Sequence, residues 1–377
     1  MQSILGMFGV NIYTHSELNI HVRKYIYFPY WIVNLPSETL AHEIASRAVC
    51  VRFCLELWAN SKQVENLHNK LKTYPISEIN KYAGPHKSFK VIVETFCKHF
   101  SQGEKVNKID ITSGQRDLIR KLSLKTRKFI GNTSMDPQLS LIMANQAQVQ
   151  KGDIVLDPFV GTGSLLVAAS HFGGYTLGTD IDFLMLHGRT RPINMEKDHT
   201  ILIRTVKAFI SLLIIAPYGI REATERIGTT KLNPVIEEHQ ASSHIPSKIG
   251  YDLPQIYKDL LTFAAQHLKL NGRLVCWFPL FRDQYSEDQL PTHPCLELIA
   301  NSEQVLSNYT SRRLLTYKKV KDPKESDEII STNLIDFREQ YFALRNESRR
   351  EKRMKKAVEK AKKRELWEQN NKENPKR

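Results

Sequence analysis

No two cysteines stand as a Cys-x-x-Cys pair in this chain. There are five, Cys50, Cys54, Cys97, Cys276 and Cys295, odd in number and scattered. A zinc site built by this chain alone is therefore not expected, and no metal ligands are assigned. Most of the five fall inside apolar stretches, as buried thiols do. The pattern suits a reducing compartment, and a cytoplasmic location is the expectation. Also lacking is any apolar run long enough to span a bilayer. The longest, Phe209 to Ala216, has the length of a strand. Met1 to Phe8 puts no basic residues ahead of its apolar ones, so no secretory signal is expected. There is no internal repeat, no Gly-x-Gly-x-x-Gly and no P-loop Gly-Lys-Ser/Thr.

What the chain does have is positive charge. The formal net charge is +14 over 377 residues, which points towards a polyanion as partner. Residues 345–377 hold 14 Lys/Arg against 6 Asp/Glu, a net of +8. That stretch reads either as a solvated charged extension or as a contact to phosphates that ignores base sequence.

Hydrophobic patterning divides the chain. Tyr25–Leu35 is rich in aromatic and β-branched residues and stops at Pro36, which predicts a strand. Ser37 can cap a helix running to about Arg47. Val49, Val51, Phe53, Leu55 and Leu57 alternate, which predicts a strand over Val49–Trp58 with one buried face. Val64, Leu67 and Leu71 recur at helical spacing, and Phe89, Val91 and Val93 alternate again. The order β-α-β-α-β resembles most of a ferredoxin-like fold over residues 1–101. Residues 102–128 are polar and basic, ending in Lys121, Lys125, Arg127 and Lys128. They read as a linker with an amphipathic helix, either a solvated surface or a place for an RNA backbone to lie.

From residue 129 to 322 strands and helices alternate, which implies a doubly wound sheet. Asp136-Pro137 opens a helix. Strands are predicted at Ile154–Leu156, Tyr175–Gly178, Ile210–Ile215, Arg273–Phe278 and Leu314–Val320, with helices at Ser164–His171 and Asp252–Leu268. Asn271-Gly272 reads as the stop of the second helix. Residues 323–377 remain as a charged extension.

The most informative stretch is Val155-Leu-Asp-Pro-Phe-Val-Gly-Thr-Gly-Ser164. An apolar strand ends on Asp157, a turn carries Gly161 and Gly163, and a helix follows. Ligands of open parallel sheets bind beyond the carboxyl ends of the strands, and glycines let the backbone come close. Gly178-Thr-Asp-Ile-Asp182 follows about twenty residues on, placing an acid at the end of the next strand for ribose hydroxyls. An acidic turn that needs no phosphate suits a nucleoside carrying a sulfonium, S-adenosyl-L-methionine. A glycine pair in an αβ turn can be incidental, but the full run with its spaced acids is much more specific.

These segments also carry a resemblance. Phe129-Ile-Gly-Asn-Thr-Ser-Met-Asp136, the Asp157–Ser164 run, Gly178–Asp182 and Pro217-Tyr-Gly-Ile-Arg-Glu222 are similar to the eukaryotic tRNA guanosine-10 N2-methyltransferase catalytic subunits. The similarity covers most of residues 30–320. It implies a Rossmann-like class I methyltransferase domain preceded by a smaller ferredoxin-like, partial THUMP domain that grips tRNA. It implies S-adenosyl-L-methionine held by Asp157, Pro158, Phe159, Gly161, Thr162, Gly163, Asp180 and Asp182. It places Pro217 and Tyr218 at the guanine amine, and it implies a small zinc-binding activator subunit as partner.

Three departures stand out. The THUMP segment between the matches at Phe89–Asp110 and Ile111–Phe129 is nearly absent. Only 34 residues separate Asp182 from Pro217, fewer than a helix, strand, helix and strand need. The family reads Asp-Pro-Pro-Tyr where this chain reads Ile215-Ala216-Pro217-Tyr218. Two other functions therefore stay open: a tRNA-binding homologue that has lost chemistry, and an amine methyltransferase acting on DNA or protein.

Overall fold

The computed structural model describes residues 2–8, 33, 35–59, 61, 63–80, 110–127, 134–182, 209–214, 220, 222–230, 247–324 and 337–346. The chain divides into two compact units: Met1–Ile214 with Gly272–Val275, and Ile215–Asn271 with Cys276–Arg377.

In the first unit, α1 (Gln2–Met7) and α2 (Glu38–Arg47) bury Ile4, Leu5, Leu40 and Ile44 together. Ser37 caps α2 as the sequence implies, its hydroxyl accepting the Leu40 N–H at 3.1 Å. The predicted strand over Val49–Trp58 is shorter. Only Phe53–Leu55 forms β1, and Leu57 is half exposed. The cause is local. The chain bends at Val49-Cys50 to leave α2, and the Ala48 and Arg52 carbonyls accept N–H groups of Gln115 and Gly114. Cys50 at that bend is exposed, against the expectation of buried thiols, whereas Cys276 and Cys295 are buried.

The helix at Val64 forms as α3 (Val64–Lys72), followed by α4 (Ile76–Asn80). The linker reading of 102–128 needs correction. Asp110–Ser113 is β2, antiparallel to β1 with Phe53 opposite Ser113. Its alternation is too short to stand out in a polar stretch. The helical part survives as α5 (Arg116–Lys121). The strands predicted around Tyr25–Leu35 and Phe89–Val93 lie outside the described residues, save Val33 and Leu35.

The core of the first unit is parallel. Helix α6 (Pro137–Gln146) starts on Asp136, whose carboxylate accepts the Gln138 and Leu139 N–H groups. Leu141, Met143 and Ala144 are fully buried. Strand β3 (Ile154–Asp157) pairs in parallel with β4 (Tyr175–Gly178) and β5 (Phe209–Ile214). Helix α7 (Ser164–His171) crosses over between β3 and β4 and buries Leu165, Ala168 and Ala169. The order is β4-β3-β5, and β8 (Leu268–Phe281) follows β5 in the sheet.

The second unit holds a small antiparallel pair, β6 (Glu225–Ile227) and β7 (Lys248–Gly250). Its helix α8 (Leu253–His267) is capped by Asp252 and packs Tyr257 edge-to-face on Phe278 at 5.0 Å. Beyond it the order is β8-β10-β9, where β9 (Leu296–Val305) and β10 (Thr310–Lys319) form an antiparallel hairpin. Asn271-Gly272 is not the helix stop. Helix α8 ends at His267 and Leu268 starts β8 directly. The buried ammonium of Lys319 donates to the Leu268 carbonyl at 2.8 Å and takes up the helix-end acceptor. Asn271 lies within the strand at φ 65°. Helix α9 (Phe337–Asn346) anchors through Phe337 on Phe281 at 5.0 Å. Among the described residues no helix is long and apolar enough to cross a membrane.

Candidate functional site

Strand β3 delivers Asp157 to its carboxyl end with 2% of its surface exposed. One carboxyl oxygen accepts the Phe159 N–H at 3.1 Å. Burial pushes this carboxyl up to about 8; the Phe159 hydrogen bond opposes the rise and the nearby charge of Asp180 adds to it. Asp180 is held by backbone on both oxygens, accepting the Gly161 N–H at 2.8 Å and the Asp182 N–H at 2.9 Å.

The turn between β3 and α7 is tied to the loop after β4. Val160 N–H donates to the Thr179 carbonyl at 2.9 Å, and Thr179 N–H donates to the Asp157 carbonyl at 3.0 Å. The Thr179 hydroxyl donates to the Pro158 carbonyl at 3.1 Å. Gly161 and Gly163 sit at φ 47° and 75°, the left-handed region that disfavours a side chain. Gly163 is the N-cap of α7, so no side chain there covers the first N–H groups of the helix. Gly178 is required by contact: a Cβ there would lie 2.5 Å from Val160 Cγ2.

The structure thus brings Asp157, Pro158, Phe159, Gly161, Thr162, Gly163, Asp180 and Asp182 together at one end of β3 and β4. Pro217 and Tyr218 lie outside the described residues, as do Ile215 and Ala216. Strand β5, parallel to β3, ends at Ile214, immediately before them in sequence.

Two residues at the turn escaped the sequence reading. The Arg127 guanidinium donates to the Ser164 hydroxyl at 3.1 Å and to the Thr162 carbonyl. Ser134 shares a 2.9 Å hydrogen bond with the buried Thr162 hydroxyl. Arg127 was one cation among many in a basic stretch. Ser134 stood inside the matched Phe129–Asp136 segment with no role attached.

A buried aspartate ending one strand, a glycine turn, and a second acid ending the parallel neighbour are the frame of a Rossmann-like methyltransferase. Comparison with known proteins agrees. Residues 12–113 match the family model "Tmrp11 THUMP N-terminal domain", and residues 125–202 match "RMKL-like, methyltransferase domain". The protein named tRNA (guanine(10)-N(2))-methyltransferase TRMT11 of Bos taurus is 35% identical over 426 positions, covering 91% of each chain. Its Gallus gallus counterpart is 36% identical, covering 90% of this chain and 91% of its own. That of Dictyostelium discoideum is 32% identical, covering 86% and 80%.

This chain belongs to the TRMT11 family of tRNA (guanine(10)-N(2))-methyltransferases. It is shorter inside the matched span. About 343 of its 377 residues spread over the 426 positions aligned with the Bos taurus protein, leaving roughly 80 positions that this chain does not fill.

Proposed function

We propose that the turn from Asp157 to Ser164 holds S-adenosyl-L-methionine and that Pro217 and Tyr218 receive the guanine. The chain is an S-adenosylmethionine-dependent tRNA methyltransferase acting on the exocyclic N2 amine of guanosine 10. One observation carries the cofactor assignment: the Asp157 and Asp180 carboxyl groups are set at adjacent strand ends, each oriented by backbone N–H groups of the turn and the loop facing it.

The residues fit the ligand. Asp157 is a buried acid held partly protonated near neutrality, and a cationic ligand returns such a group to its charged form. Asp180 accepts one backbone N–H on each oxygen and keeps acceptor capacity for ribose hydroxyls. Gly161 and Gly163 carry no side chain that would stand between ligand and backbone. When bound, the cofactor supplies an electrophilic methyl group on a sulfonium.

At the guanine, the amine lone pair is delocalised into the ring, and a hydrogen-bond acceptor localises it for attack. In this reading the Pro217 carbonyl accepts from the amine and Tyr218 stacks on the base. The family carboxylate is replaced by Ile215. Loss of one placed acceptor at a reacting centre slows chemistry by about 10²–10³. A slow enzyme is therefore the specific form of this reading. A small zinc-binding activator subunit is part of it too, resting on the family resemblance.

Calorimetry with S-adenosylhomocysteine tests the cofactor site. Asp180→Ala should weaken binding by about 1–3 kcal/mol, the worth of a charge-assisted hydrogen bond, and Gly161→Val should do so by filling the turn. Equal affinity for all three proteins would remove the site from this turn.

A further inference from the structure

The turn is electrically two-sided. Its acidic contacts fall at Phe159 and Gly161, whose N–H groups bind Asp157 and Asp180. Its cationic contacts fall at Thr162 and Ser164, both bonded by Arg127. The methionine end of the cofactor is a zwitterion with one ammonium and one carboxylate, and the carboxylate is the only anionic group in the molecule. We propose that Arg127, with the hydroxyl of Ser134, which is bonded to the same Thr162, receives that α-carboxylate. This rests on the cofactor reading above and adds the group that fixes the direction in which the methionine moiety lies.

Three observations converge. Arg127 is partly buried, burial lowers its pKa, and among the described residues no acidic side chain is bonded to it. Even a partly buried guanidinium loses solvent that an anion beside it would offset. Among the described residues its bonds go to a neutral hydroxyl and a neutral carbonyl, and a guanidinium has five N–H groups in a fork suited to carboxylate. Finally, Arg127 sits against the first residue of α7, at the positive end of that helix. A cation there is unfavourable by itself and becomes favourable when an anion is shared between it and the helix.

A purely structural role, Arg127 pinning the Thr162 carbonyl, predicts that every ligand of the turn suffers equally when the side chain is lost. A carboxylate role predicts selectivity. The probes are S-adenosylhomocysteine, which has the carboxylate, and 5′-methylthioadenosine, which lacks the whole amino-acid moiety. Affinities are measured calorimetrically for the full chain, R127Q, R127K and S134A, with a thermal melt of each.

R127Q should lose about 10- to 100-fold for S-adenosylhomocysteine and less than about twofold for 5′-methylthioadenosine. R127K should recover part of the loss. S134A, which removes only a hydroxyl, should lose a few-fold for the first ligand alone and serves as the test if R127Q does not fold. Equal losses for both ligands, or no loss for either, overturn the proposal. So does a variant that keeps S-adenosylhomocysteine affinity but binds tRNA less well, which would return Arg127 to a phosphate contact. If the unaltered chain binds neither ligand, the cofactor reading itself fails, an outcome distinct from the others.

Discussion

At the scale of residues, the site turns on carboxyl groups whose surroundings differ. Asp157 is buried and its pKa is raised to about 8, whereas Asp180 has both oxygens hydrogen-bonded to backbone. A raised carboxyl pKa means that the folded chain holds a proton which the unfolded chain releases from about pH 4 upwards. The stability linked to Asp157 is thus complete below pH 4 and is lost as pH rises towards 8. Asp157→Asn has no such loss. Its melting temperature should gain on that of the unaltered chain steadily between pH 4 and 8 and level off above, as measured by calorimetric melts without cofactor. A difference independent of pH would show that the carboxyl is ordinary. Both acids were legible in the sequence because their spacing is set by strand, turn and helix lengths. Arg127 was not legible, since nothing in a run of lysines and arginines says which one turns inward.

At the scale of elements, the joint between N-terminal helices and methyltransferase core includes a buried arginine. Arg47, at the end of α2, donates from Nε to the Asn145 side chain at 3.0 Å, and the Asn145 amide donates to the Arg47 carbonyl at 2.8 Å. The guanidinium lies 3.6 Å from the Phe172 ring centre. Arg47→Ala should cost about 2–3 kcal/mol in urea denaturation. Combined with Asn145→Ala, the loss should fall well short of the sum, because the two residues share one network. Additive losses would show that no such clasp exists. Helices were read well from sequence: Ser37, Asp136 and Asp252 each cap the helix expected to start there. Strands were read less well. Phe53–Leu55 and Asp110–Ser113 take their pairing from each other across 54 residues between Leu55 and Asp110, which local alternation cannot reveal. Strand β9 is polar through Asn301, Ser302, Glu303 and Gln304 and gains its place from β10 opposite. The direct passage from α8 to β8 depends on Lys319, far away in sequence.

At the scale of the whole molecule, charge and length set the expectations for tRNA. If the +8 of residues 345–377 contacts phosphates, deleting 345–377 should weaken tRNA binding and flatten the dependence of log K on log salt. An unchanged slope assigns those charges to solvation alone. The roughly 80 positions unfilled against the Bos taurus relative make this chain shorter inside the matched span. In the proposed reading this chain methylates N2 of guanosine 10 slowly, because Ile215-Ala216 stands where the resembled motif has Asp-Pro. The direct measurement is nucleoside mass spectrometry of an unmodified tRNA transcript after incubation with S-adenosylmethionine and the proposed zinc-binding activator. It compares the unaltered chain with Ile215→Asp/Ala216→Pro. The account predicts N2-methylguanosine at position 10 from both, formed about 10²–10³ faster by the restored chain. Equal rates would show that position 215 is not the acceptor, and a methyl group on another nucleoside, or none from either chain, would contradict the account itself.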